Sequence, residues 1–313
     1  MSLNIDTGTE QVQYWRDRCV PGSLRKVGHD PLTIGDKMRL QARDLVKLLP
    51  AILLVYGAGA AGSSAAPASY PNSIVVIGHS GATGYDSDPL RSRWSHNSWV
   101  TGDNPAVQSL YQRILAHNPG IRGNKVNLAI NGSKVDSLLL QARKAATLKP
   151  TPELIVIQSI DNDITCDDSG YKRFAPAFAR VLDALEKGAP DARVFVVSQF
   201  GSPGTYANAL TLKQRIRAGG GTGRCDFLSA SGTVIAKRLA YLETVIHRYE
   251  AAVSTACKAL ANCRYDGGAF GTVVDRPEYL SSDLSHFSVR GHAKAAAVAW
   301  AALKRTGLIP TTG

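Results

Sequence analysis

The chain has 313 residues and a formal net charge of +11, with 44% apolar and 19% charged residues. That length suits one large α/β domain or two small ones, and the apolar content allows a sizeable core. The positive balance favours acidic surfaces such as an anionic cell envelope. Lysine and arginine are scattered, however, and no dense basic block is interleaved with aromatics, which argues against nucleic-acid binding.

The first 68 residues read as a leader rather than as part of the domain. Lys37, Arg39, Arg43 and Lys47 precede the apolar run Leu48 to Gly62, small residues follow, and Ala66-Pro67-Ala68 fits an A-x-A processing site. Positive, apolar, small is the order of a secretory signal. The run is shorter than the roughly 20 residues of a membrane span, and Pro50 with its glycines disfavours a helix. An uncleaved anchor and a helix of the domain are the competing readings. Residues 1–37 are long for a signal and are expected to be poorly ordered; Met38 is an alternative start.

Beyond the leader, short apolar runs alternate with helical spacing. SIVVIG (73–78), KVNLAI (125–130), ELIVIQ (153–158) and RVFVVSQ (193–199) predict strands, and FGTVVD (270–275) a fifth. Helices are predicted over 104–117, 134–147, 173–187, 233–261 and 289–306, with Ser288 capping the last. Residues 201–232, rich in Gly, Ser and Thr, read as a long surface insertion. Continuous apolar strands separated by helices predict a parallel sheet covered on both faces, closed by right-handed crossovers. In such sheets ligands bind beyond the carboxyl ends of the strands. That singles out Gly78-His79-Ser80, Asn131-Gly132 and Asp161-Asn162-Asp163.

Cys19 falls in the leader. Four cysteines remain, Cys166, Cys225, Cys257 and Cys263, an even number that suits two disulfides in an exported protein. Three connectivities exist. Cys257 and Cys263 are close enough to close a short loop, and Cys166 then pairs with Cys225. No C-x-x-C occurs, which argues against structural zinc.

Ser80, between glycines after a strand, can expose its hydroxyl on a tight turn. Asp283, three residues before His286, can orient one imidazole nitrogen and leave the other to take a serine proton. Gly132 can offer an unobstructed backbone N–H, and Asn162 a side-chain amide, to a developing oxyanion. The acidic group Asp161, Asp163, Asp167 and Asp168 reads as a solvated turn, with a metal-dependent phosphoesterase as the rival reading. Trp94 and Trp99 either line a pocket or pack their loop. His292 reads as a helix-face residue.

Taken together, Gly78-His79-Ser80, Gly132 in Asn131-Gly132-Ser133, Asn162-Asp163 and Asp283-x-x-His286 resemble the four blocks of the SGNH (GDSL-type) hydrolase family over about residues 73–306. The organisation is similar to exported actinobacterial members. The resemblance implies a flavodoxin-like three-layer sandwich with a five-stranded parallel sheet. It also implies Ser80 as nucleophile, His286 as base oriented by Asp283, and an oxyanion hole from the Ser80 and Gly132 N–H groups and the Asn162 amide. Two positions depart from the family pattern: His79 stands where it usually has Asp, and Ile160 where it usually has Gly. The expected activity is carboxylic ester hydrolysis without cofactor or metal, by a monomer that is secreted or loosely associated with the envelope. Acyl esters or lipids are the first substrate expectation, and O-acetylated envelope or plant polysaccharide the second. A non-catalytic glycan- or lipid-binding envelope protein is the rival.

Overall fold

The computed structural model describes residues 69–311. The leader, its processing site, the alternative start at Met38 and Cys19 lie outside the described residues. Five strands, β1 (Ile74–Gly78), β2 (Lys125–Asn127), β3 (Leu154–Gln158), β4 (Arg193–Val197) and β5 (Cys263–Tyr265), form one sheet in the order β2-β1-β3-β4-β5. Every pairing is parallel. This is the doubly wound flavodoxin-like order, whose switch point lies between β1 and β3.

Alternation along each strand divides the apolar residues between two cores. Val75, Ile77, Ile155, Ile157, Val194 and Val196 pack with α3 (Val135–Ala146), α4 (Asp168–Gly188) and α7 (Ala236–Lys258). Ile74, Val76, Leu154, Val156, Phe195 and Val197 point the other way, onto α2 (Leu110–His117) and α8 (Val289–Arg305). Both sheet faces are therefore covered, which is why the central strands read as unbroken apolar runs.

Three expectations are corrected. The fifth strand is Cys263–Tyr265; residues 270–275 instead carry a 3-10 turn at Phe270–Thr272. Phe270 and Val273 are buried while Val274 is exposed, so the apolar content of that run serves side-chain packing rather than a ladder. The helix expected from 104 begins at Leu110, because Ser109 and Gln112 form a capping box there. The segment 201–232 is not a mere surface insertion. It holds α5 (Pro203–Ala209) and α6 (Leu212–Ala218), and it buries Cys225, Phe227 and Leu228.

The disulfides are Cys166–Cys225 and Cys257–Cys263. The first spans 59 residues and fastens the 201–232 segment to the loop before α4; the second spans 6 and ties the end of α7 to β5. Among the described residues no helix is long and apolar enough to cross a membrane. Chain-entropy reasoning makes the longer closure the more stabilising one. Urea denaturation should show a Cys166→Ser/Cys225→Ser protein losing about 2–4 kcal/mol, and the Cys257→Ser/Cys263→Ser protein losing less.

Candidate active site

The end of β1 delivers Ser80. Gly78 has φ +153°, and a Cβ on it would lie 2.4 Å from the Gln158 carbonyl oxygen of β3, so only glycine lets the two strands approach here. Gln141 of α3 clamps this point: its Oε1 accepts from Gly78 N (2.7 Å) and its Nε2 donates to Gly78 O (3.0 Å). The chain then enters a one-turn helix, α1 (Ser80–Thr83). His79 caps it, with Nδ1 accepting from Gly81 N at 3.1 Å and Nε2 lying 3.3 Å from Asp161 Oδ2. The imidazole thus supplies the acceptor that an Asp would supply at this position.

The loop 280–287 delivers Asp283 and His286. It closes on itself through a bridge between Leu280 and Phe287 and a bond from Ser281 N to His286 O. Within it, Asp283 Oδ1 accepts from Ser285 N (2.8 Å), His286 N (3.0 Å) and Ser281 Oγ (2.7 Å). Asp283 Oδ2 lies 2.7 Å from His286 Nδ1, and His286 Nε2 lies 2.8 Å from Ser80 Oγ. Burial opposes charge on Asp283, but the bonds and charge of His286 outweigh it and hold the carboxyl far below the usual carboxylate range. An ionised Asp283 fixes the proton on Nδ1, so the Nε2 lone pair faces the serine hydroxyl. Ser288 caps α8 through Gly291 N, fixing the chain just after His286.

Gly132 and Asn162 sit on the loops after β2 and β3, on either side of the switch point. The Asn162 amide donates to Ser133 O at 2.9 Å, joining the two loops. Gly132 has φ +71° with nothing near the place a Cβ would take, so its approach side is open. Asp163 fastens the same region by accepting from Val135 N at 3.0 and 3.1 Å, at the start of α3. Ile160, where the family usually has Gly, adopts φ +90°. That is a conformation glycine takes freely, and the fully buried Ile160 side chain offsets its strain by filling the core.

The sequence profile of the GDSL-like lipase/acylhydrolase family matches residues 74–298. The chain belongs to this family. Its chemistry is therefore that of a carboxylic ester hydrolase. No curated protein sequence matches the chain. Solved structures of similar fold include an extracellular lipase from Streptomyces rimosus, at 16% identity and a TM-score of 0.47, covering 74% of this chain and 99% of that one. Phospholipase A1 from Streptomyces albidoflavus NA297 is 14% identical with a TM-score of 0.45, covering 75% and 99%. A family two carbohydrate esterase from Clostridium thermocellum, in complex with cellohexaose, is 16% identical with a TM-score of 0.44, covering 77% and 66%.

Beside Ser80 and His286 the hydrolase opens a cleft continuous with solvent. Phe200, Phe227, Ile246, Leu280 and Phe287 form apolar wall; Asp161, Gln199, Tyr206 and Asp275 add polar groups. Tyr206 and Phe227 come from the 201–232 segment, and the Tyr206 hydroxyl donates to Leu284 O at 3.0 Å, bracing the 280–287 loop. Tyr85 stacks edge-on against the His286 ring at 4.7 Å, with Trp94 tilted on Tyr85 at 4.6 Å. Trp94 therefore packs its loop, and Trp99 is fully buried with Nε1 donating to Gln158 Oε1.

Two side chains with no motif signal also reach Asp283. The Ser281 hydroxyl lies 2.7 Å from Asp283 Oδ1 and 3.0 Å from Asp86 Oδ2. One hydroxyl proton cannot serve two carboxylates, and burial together with the nearby Asp283 raises the Asp86 carboxyl above its ordinary value. Ser281, two residues before Asp283, is recognisable in retrospect as a turn former; Asp86, 195 residues from Ser281, is not. The acidic group divides its tasks: Asp161 faces His79, Asp163 holds α3, and Asp167 caps α4 through Ser169 N. His292 is buried against Phe287, and burial lowers it to about 3, so it stays neutral.

Asp275 is pushed up to about 6, chiefly by burial, although the Thr205 hydroxyl and the Ser202 N–H favour its charged form. Its folded value lies above the unfolded 3.8, so the folded state binds the extra proton between those values. Stability then falls as pH rises from 3.8 to about 6, and the cost is fully present above. Asp275→Asn should accordingly stabilise the protein by about 2–3 kcal/mol at pH 8 and by little at pH 4, read from urea melts at the two pH values.

Proposed function

We propose that this protein is an exported serine esterase that works through an acyl-enzyme, with Ser80 as nucleophile, His286 as general base and acid, and Asp283 as the orienting carboxylate. The observation that carries the reading is the continuous hydrogen-bonded chain from Asp283 Oδ2 through His286 to Ser80 Oγ, at 2.7 and 2.8 Å. Ser80 Oγ attacks the acyl carbonyl carbon while His286 Nε2 takes its proton. The Ser80 and Gly132 N–H groups and the Asn162 amide stabilise the oxyanion. Collapse of the tetrahedral intermediate breaks the ester C–O bond, and His286 returns the proton to the departing alcohol. A water then gives its proton to His286, attacks the acyl-enzyme, and the acid leaves with Ser80 restored.

Residues 1–68 act as the export leader and 69–313 as the hydrolase domain. Two disulfides support an oxidising compartment. Acyl esters or lipids of short to medium chain are the substrate class. The aromatic and aliphatic wall beside Ser80 supports an acyl group lying there.

Hydrolysis of p-nitrophenyl esters, from acetate to decanoate, tests the activity. Ser80→Ala and His286→Ala should each lower kcat by about 10³- to 10⁶-fold, with folding intact by circular dichroism. Equal rates for wild type and Ser80→Ala would leave a non-catalytic binding protein as the better account. Asn162→Ala should lower kcat by about 10²- to 10³-fold with little change in KM. A fluorophosphonate should label the peptide containing Ser80, identified by mass spectrometry.

A further inference from the structure

His79 occupies a position that the reaction just described does not use. It is 3% exposed, it caps α1, and it touches both the nucleophile turn and the loop after β3. A backbone N–H can only donate, so the 3.1 Å bond from Gly81 N requires a lone pair on His79 Nδ1. The neutral ring must then carry its proton on Nε2, facing Asp161 Oδ2 at 3.3 Å. The ring is buried, so turning it away from Gly81 requires its surroundings to repack.

We propose that His79 is a positioning residue for Ser80: as a neutral imidazole it holds the nucleophile turn, and protonation of Nδ1 releases that turn and stops catalysis at acid pH. This inference rests on the reading of Ser80 as nucleophile. Protonation places an N–H on Nδ1 head-on against the Gly81 N–H, so the cap bond is lost and two donors repel. The Asp161 carboxylate, 3.3 Å from Nε2, is the counter-charge for the protonated ring, while the ring's burial opposes charging it. The other titratable groups lining the same cleft are Tyr206 on α5, Asp275 on the segment before the acid–base loop, and His286; among the described residues no lysine or arginine lines it. Acid inactivation therefore takes up two protons, one on His286 Nε2 and one on His79 Nδ1.

The test is the pH dependence of kcat/KM for p-nitrophenyl acetate, measured on the full chain. For the wild type the acid limb of log kcat/KM against pH should steepen to a slope of about two. His79→Asn keeps an acceptor for Gly81 N that does not titrate, since Asn is a favoured cap; its limb should keep a slope of about one and retain more activity at the acid end. Asp161→Asn should move the second ionisation to lower pH. A role confined to folding would change melting temperature and kcat without altering the slope. Coincident limbs of slope one in wild type and His79→Asn, with Ser80→Ala inactive, overturn the role of His79 alone. A Ser80→Ala protein as active as wild type overturns the nucleophile reading instead. Should His79→Asn not fold, ¹⁵N NMR of wild-type histidines decides: protonation of His79 Nδ1 across the steep part of the limb supports the proposal, and a ring neutral throughout overturns it.

Discussion

The contact between Asp283 and His286 sets the direction of everything else in the cleft. A neutral histidine ring can carry its proton on either nitrogen, and its surroundings select which. Here an ionised carboxylate 2.7 Å from Nδ1 does so, leaving the lone pair of Nε2 toward Ser80. The carboxylate is held in turn by two backbone N–H groups of its own loop and by the Ser281 hydroxyl. The loop closes through backbone bonds, is braced by Tyr206, and leads directly into the capped start of α8. Orientation of one ring is thus secured by three separate elements of the fold.

The sheet decides where that ring finds its partners. With β1 and β3 adjacent at the switch point, their carboxyl ends bring Ser80 and Asn162 to one edge, and β2 brings Gly132 alongside. Local backbone geometry completes the convergence. Gly78 permits the close approach of β1 and β3, and Leu284, with φ +66°, turns the chain between Asp283 and His286. Ile160 carries comparable strain in the loop of Asn162 and offsets it with a fully buried side chain. The two departures from the family pattern therefore have physical substitutes: core burial at Ile160, and at His79 a ring nitrogen in place of a carboxylate oxygen.

The 201–232 segment shows why composition misleads. Glycine, serine and threonine suggest a solvated insertion, yet the Cys166–Cys225 bond holds the segment against the domain, where it buries Phe227 and supplies cleft wall. The misplaced fifth strand has the same origin in reverse. FGTVVD has the side chains of a strand, but the edge of β4 is occupied by Cys263–Tyr265, tied to α7 by a six-residue closure.

The four central strands, the main helices and the α/β class are legible in the residues alone, whereas the cysteines left three pairings open, of which the structure holds Cys166–Cys225 with Cys257–Cys263. The strands and helices follow from hydrophobic period and capping residues, which are local properties of the chain. The sequence also marked Ser80, Gly132, Asn162, Asp283 and His286, because strand ends and a three-residue Asp–His interval can be read along a line. The folded chain alone places Asp86 and Ser281 behind Asp283, Asp161 against His79, and Tyr206 and Asp275 at the border of the cleft. Those groups act through distances between segments up to 195 residues apart. Such proximity arises from sheet order and loop closure, and leaves no periodic trace in the residues that meet.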